Sequence, residues 1–264
     1  MGSGSDVLAV DDAGEGAGDG PALVFVHGLT FSRGTWTPVV DALAGSFRCV
    51  SVDLPGYGDS TGSAADPMAV VERLAATLAG LGVERPVLVG HSAGALTATG
   101  YAARFPAAAV VNVDQPLLVG GFASLLRQVE EGLRGPDFAA AFAPFEHSIG
   151  LHLLPEPERS RVAATRRVDQ ATVLDHWHLP LSVGPERAQA TIDALLDAVD
   201  VPYLYVGGQE PADAVRAHLA AHLSRLEVVV HPGAGHLVHL ADPARFARVV
   251  AEFVERVIGQ RAGP

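Results

Sequence analysis

The chain has 264 residues, 48% of them hydrophobic, and a formal net charge of −12 at neutral pH; the length suits one large α/β domain with an insertion, and the acidity argues against nucleic acid or an anionic membrane as partner. Its basic residues, histidine aside, are all arginine, and without lysine there can be no Walker A phosphate loop, pyridoxal Schiff base or Ser-Lys dyad. No apolar run approaches the roughly 18 residues that cross a bilayer, and Met1 to Ser5 read as a linker without the features of a signal peptide, so a cytoplasmic location is expected.

In chain order, residues 14–20 alternate glycine with other small or acidic residues but lack the G-x-G-x-x-G spacing, and read as a turn, not a dinucleotide site. Short apolar runs follow at 23–26, 48–54, 86–90, 109–113, 201–206 and 226–230. Runs this brief and β-branched, with little alternation, are the signature of strands buried on both faces. The second run holds Cys49, the chain's single cysteine, which reads as a small buried hydrophobe in a reducing compartment. Helix-like stretches lie between the runs, at 36–44, 67–81, 93–105, 212–223 and 243–258. Asp66-Pro67 and Asp242-Pro243 each set a capping residue before a proline at the first helical position. This alternation predicts an α/β fold with a doubly wound, mostly parallel sheet.

One segment breaks the rhythm. Residues 116–198 contain no convincing strand and carry Phe122, Phe138, Phe142, Phe145 and Trp177 among scattered prolines. They are too many for a plain crossover, and the expectation is a helical cap insertion over the ligand-binding edge of a core built from 1–115 and 199–264.

Chemistry concentrates in a few motifs. Gly90-His91-Ser92-Ala93-Gly94 follows a strand and precedes a helix. A serine on so tight a turn needs small neighbours, and the turn lifts its hydroxyl clear of the sheet while aiming the Ala93 amide at a developing oxyanion. His27-Gly28-Leu29 ends the first long strand, Asp53 to Ser60 forms a Gly- and Pro-rich turn after the next, and Gly233-Ala234-Gly235-His236 follows the last strand. Of 11 histidines, His236 stands out because flanking glycines let a loop carry its imidazole to the sheet edge; His231 and His239 lack that setting, and His91 is expected to pack beside the serine.

These four motifs, in this order, resemble the α/β-hydrolase superfamily from about residue 22 to 258. The resemblance implies Ser92 as nucleophile, His236 as general base, and the amides of Leu29 and Ala93 as oxyanion donors. It leaves the third catalytic member open. Most members carry the acid after the strand that follows the cap, where this chain has Gly207-Gly208-Gln209-Glu210. Others carry it one strand earlier, where this chain has Val113-Asp114-Gln115-Pro116, similar to the Glu-x-Pro of resorcylic-lactone hydrolases. Asp114 is preferred, because an aspartate ending an apolar strand at this edge is costly unless paired, and Glu210 is the alternative.

The activity implied is acyl-enzyme hydrolysis of an ester or lactone in a small hydrophobic substrate, without cofactor or metal. Thioesterase, acyltransferase and carbon–carbon bond hydrolase chemistry, or ligand binding on the same scaffold, are the alternatives. Serine at 92 argues against dehalogenase and epoxide hydrolase chemistry, which need a carboxylate to attack an sp3 carbon. His176 and Trp177 are candidate substrate contacts in the cap. His218 and His222 share an i, i+4 spacing, but Leu219 stands where a zinc-protease helix carries glutamate, and no metal is expected there.

Overall fold

A computed structural model of the chain describes residues 7–14 and 20–261. Met1 to Ser5 and most of the glycine-rich 14–20 turn lie outside the described residues. The elements in order are β1 (Val10–Ala13), β2 (Leu23–Val26), α1 (Thr37–Leu43), β3 (Cys49–Val52), α2 (Pro67–Gly80), β4 (Val87–His91), α3 (Ala93–Arg104) and β5 (Ala109–Val113). Then come six helices, α4 (Val119–Arg134), α5 (Phe138–Ile149), α6 (Glu158–Thr165), α7 (Gln170–His176), α8 (His178–Val183) and α9 (Pro185–Asp197). The chain closes with β6 (Tyr203–Gly207), α10 (Asp213–His222), β7 (Leu226–Val230), α11 (Val238–Ala241) and α12 (Pro243–Arg261).

The seven strands form one sheet in the order β1-β3-β2-β4-β5-β6-β7. All neighbours are parallel except β1, which runs antiparallel to β3. The apolar runs explain this arrangement. In β2, Val24 and Val26 join one core with α2, α3 and α9, while Leu23 and Phe25 join a second core with Trp36, α1 and α12. A strand covered on both faces has no use for a polar face, so its sequence does not alternate. Cys49 is buried in this second core, and burial pushes its thiol pKa up to about 12. The two predicted caps form: Asp66 accepts from the amides of Met68 and Ala69 at 2.9 and 3.2 Å, and Asp242 from that of Arg245 at 2.9 Å.

Two elements escape the sequence reading. β1 reads Val-Asp-Asp-Ala, with both acids on the exposed edge of the sheet. α11 is a single turn between the last strand and the last helix. Between β5 and β6 the described residues contain helices only, and these enclose a small core of their own around Leu126, Phe142, Val173 and Trp177. No helix among the described residues is long and apolar enough to cross a membrane.

Candidate active site

Ser92 sits between β4 and α3 with φ 51° and ψ −118°, a conformation that costs an L-residue on the order of 1–3 kcal/mol and persists only where the surroundings enforce it. The enforcement is steric. A Cβ on Gly90 would lie 2.4 Å from the Gly94 carbonyl oxygen, and one on Gly94 would lie 2.2 Å from that of Val26. Strand, turn and helix are therefore in backbone contact, and a side chain at either glycine would force them apart. The Ser92 amide donates to the Val113 carbonyl at 3.1 Å, tying the turn to the end of β5. As the first residue of α3, Ala93 has an amide with no carbonyl one turn earlier to receive it.

The loop after β2 faces this turn. Gly28 packs so close that a Cβ would stand 2.7 Å from His91 Nδ1. His27 is fully buried, its Nδ1 donating to the Gly28 carbonyl at 2.8 Å while Nε2 accepts from the Leu54 amide at 2.9 Å. Burial pushes its pKa down to about 4, so the ring is neutral and suited to both roles. Thr30, at φ 69°, is held from the helical insertion: Arg166 Nε and Nη2 donate to its hydroxyl at 3.1 and 2.9 Å. The Asp53 to Ser60 turn is a scaffold beneath. Asp53 is buried, pairs with Arg33 and accepts from the Asp59 amide at 2.9 Å. Gly58 leaves no room for a Cβ beside that carboxylate.

Asp114 follows β5 at φ 56°. Its amide donates to the Val206 carbonyl at 2.9 Å, and its Oδ2 lies 2.8 Å from His236 Nδ1. Oδ1 receives the Gly208 amide at 3.3 Å and the Tyr205 hydroxyl at 3.4 Å. Burial first, and then the Asp114 charge, push the Tyr205 phenol above its ordinary pKa, so it acts as a donor. Buried Asn112 clamps the same turn. It accepts from the Gln115 amide at 3.0 Å and donates to the Gln115 carbonyl at 2.8 Å and to Tyr203 Oη at 3.0 Å. The alternative acid lies elsewhere: Glu210 is exposed and paired with Arg216 at 2.7 Å.

His236 rides on the glycine loop after β7. Gly208 carries no side chain because a Cβ there would fall 1.9 Å from the Gly235 carbonyl oxygen, so this contact brings the His236 loop down onto the end of β6. Buried His91 reaches the His236 carbonyl through Nε2 at 3.0 Å, and its ring lies 4.6 Å from that of His236. Burial, and then the neighbouring imidazoles His236 and His239, hold His91 well below the ordinary histidine pKa. Nε2 of the neutral ring therefore donates to the carbonyl and Nδ1 bears the lone pair. His239 stacks 4.2 Å from Trp36, away from the cavity, and His231 is buried.

Ser92, His236, Asp114, Leu29 and Ala93 line one cavity of about 860 Å³. Its walls are largely apolar, from Phe31, Leu96 and Leu117 of the core to Phe122, Phe142 and Phe145 of the insertion. His176 and Trp177 also line it. His176 lies 5.2 Å from the Tyr57 ring, and burial pushes its pKa down to about 4. Asn112, Tyr205 and Gly208 also belong to this arrangement, and their part in it is not evident from sequence. The first two sit inside apolar strands, where nothing distinguishes them from packing residues; Gly208 was visible only as loop punctuation.

The chain as a whole is similar to known proteins. A model of the "Alpha/beta hydrolase family" matches residues 23–249. The chain is 26% identical to the putative 2-succinyl-6-hydroxy-2,4-cyclohexadiene-1-carboxylate synthase of Bacillus subtilis, over 96% of this chain and 97% of that one. It is 28% identical to the pimeloyl-[acyl-carrier protein] methyl ester esterase of Nitrosomonas europaea, over 88% and 95%. It also matches Protein PHYLLO, chloroplastic, of Arabidopsis thaliana at 27% identity, spanning only 16% of that much longer chain. Among solved structures, a thermophilic esterase from Thermogutta terrifontis superposes with a TM-score of 0.70 at 24% identity, covering 95% of this chain and 93% of that one.

Proposed function

The chain belongs to the alpha/beta hydrolase family, and from that premise we propose that it is a serine hydrolase cleaving an ester or lactone bond in a small, uncharged, hydrophobic substrate. The observation that carries the proposal is the 2.8 Å contact of His236 Nδ1 with Asp114 at the rim of an apolar cavity that Ser92 also lines. In this reading Ser92 Oγ attacks the carbonyl carbon, and His236 Nε2 takes the hydroxyl proton. Asp114 holds Nδ1–H, fixing the tautomer, and stabilises the imidazolium that forms. The amides of Leu29 and Ala93 receive the oxyanion, and His236 returns its proton to the leaving alkoxide. Water, deprotonated by His236, then attacks the acyl-enzyme, the acid leaves, and His236 returns the proton to Ser92 Oγ. Helices α4–α9 act as a cap that closes the cavity, with His176 and Trp177 contacting substrate.

Charge supports the choice of substrate. Among the described residues lining the cavity there is no arginine, the chain has no lysine, and Asp66 and Asp114 are both present. A site of this kind disfavours the succinyl and carboxylate groups named in the Bacillus relative's activity, because an anion entering it would meet no fixed positive charge. The methyl ester cleaved by the Nitrosomonas relative is the nearer chemical analogue. The test is a panel of p-nitrophenyl esters, lactones including a macrocyclic one, an acyl thioester and a succinate monoester, run with wild type and Ser92→Ala. The expected result is turnover of neutral esters or lactones, lost in the variant, with the succinate monoester at least about tenfold poorer in kcat/KM. Preference for the anionic ester, or turnover unchanged in Ser92→Ala, overturns the proposal.

A further inference from the structure

A second cluster lies on the far side of α9 from the cavity. His218 and His222 share one face of α10, as their i, i+4 spacing requires, and their ring centroids are 4.9 Å apart. Asp193, from α9, completes the group: a carboxylate oxygen of Asp193 and a ring nitrogen of each histidine all lie within 4.8 Å of one another. The helix α10 alone gave no reason to expect a metal, because the third donor comes from a helix 25 residues earlier in the chain (Asp193 to His218).

We propose that Asp193, His218 and His222 bind a divalent transition-metal ion of the zinc class, joining α9 to α10. Four observations support this. His218 Nε2 is buried, makes no hydrogen bond, and lies 3.7 Å from Asp193 Oδ1; a buried ring nitrogen so placed is costly, and an ion between the two would satisfy it. His222 Nδ1 is paired with Asp197 Oδ1 at 2.7 Å, a carboxylate contact of the kind that orients a ligating imidazole. Asp193 is itself oriented, accepting from Gln189 Nε2 at 2.7 Å. All three donors are partly buried, which leaves one side open for a water as fourth ligand.

The donor set selects the ion. Two imidazoles and one carboxylate suit zinc, nickel, copper or cobalt, whereas magnesium and calcium require oxygen donors. Ligand atoms in a tetrahedral zinc site stand about 3.3 Å apart, so the three donors, 3.7 Å apart for His218 and Asp193 and all within 4.8 Å, would close on an ion by side-chain rotation. The consequence reaches the cavity, because α9 lines it with Ala188, Thr191, Ile192 and Leu195. An ion here would pin the last helix of the insertion to the core. The site is independent of the catalytic reading.

The test uses the full chain freed of metal by a chelator and then titrated with CoCl2, following the visible ligand-field absorption, with ZnCl2 in competition and thermal unfolding in parallel. The expected result is saturation at one equivalent, displacement by zinc, and a rise in Tm of about 5 °C or more at excess zinc. His218→Gln, His222→Gln and Asp193→Asn each lose the spectrum and the shift while keeping wild-type circular dichroism. Asp197→Asn weakens binding by about 10–100-fold. A His147→Gln/His152→Gln variant, altering a stacked histidine pair elsewhere, binds as wild type. Absence of saturable cobalt binding, binding unchanged in both His218→Gln and His222→Gln, or loss in the His147/His152 variant overturns the proposal.

Discussion

Asp114 is held in a backbone region that aspartate rarely occupies, at φ 56°. Its amide is bound to β6, and Asn112 grips Gln115 on the far side of the turn. That arrangement aims one carboxylate oxygen at His236 and gives the other to Gly208 and Tyr205. In the proposed mechanism Asp114→Asn keeps the shape but removes the charge that stabilises the imidazolium, and kcat is expected to fall on the order of 10³–10⁴-fold. Glu210→Gln, which breaks only an exposed pair with Arg216, is expected to stay within about twofold of wild type. Steady-state kinetics on one ester decides between them, and the reverse ranking would move the acid to Glu210. Ser92 and His236 were legible as candidates because glycines two residues away on either side of the serine, and beside the histidine, announce turns that only small residues allow. The choice between Asp114 and Glu210 was not, because both end strands at the same sheet edge and only the loop path decides which meets the imidazole.

At the level of elements, the site gathers the ends of five strands, β2, β4, β5, β6 and β7, and glycines set how closely they approach. Gly208 after β6 rests on Gly235 with no space for a methyl group. Gly208→Ala must therefore push the His236 loop outward. The expected outcome is a loss of kcat of at least about 10²-fold, since displacement by about an ångström is enough to spoil proton transfer, with destabilisation of about 1–3 kcal/mol. Kinetics and urea unfolding measure the two effects, and a fully active Gly208→Ala enzyme would contradict this account of the loop. The six buried or partly buried strands from β2 to β7 were readable from their apolar runs. β1 was not, because an edge strand of four residues with two exposed acids carries no hydrophobic signal. The insertion was legible as helical but not as six helices, since short segments broken by Pro155, Pro157 and Gly184 blur the helical period.

Taken whole, the molecule buries several imidazoles in their neutral form. Burial pushes the pKa of His27 and His176 down to about 4 and of His239 to about 3, and holds His91 well below its ordinary value. In the unfolded chain each titrates near 6.5. Their folded pKa values are lower, so the unfolded state binds more protons once the pH drops below about 6.5, and stability falls as pH falls. Each histidine contributes a limiting slope of roughly 1.4 kcal/mol per pH unit, about 5 for the four together, until its folded pKa is reached. Thermal unfolding is expected to be nearly level from pH 8 to 7 and to drop steeply from pH 6.5 to 5, above the range where most carboxylates protonate. A level Tm through pH 5 would mean these rings are not held neutral. No pattern in the sequence announced this property, since histidine spacing says nothing about which rings the two cores and the insertion will enclose.

If Ser92 is the nucleophile, it carries an acyl group during turnover, and that group can be trapped. Wild-type protein is mixed with a p-nitrophenyl ester that it turns over, quenched in acid within the first turnovers, digested, and mapped by mass spectrometry beside Ser92→Ala. One acyl adduct is expected on the peptide bearing Ser92, formed with a burst of p-nitrophenol, and neither adduct nor burst in the variant. Turnover in Ser92→Ala, or an adduct on another side chain, would contradict that role for Ser92.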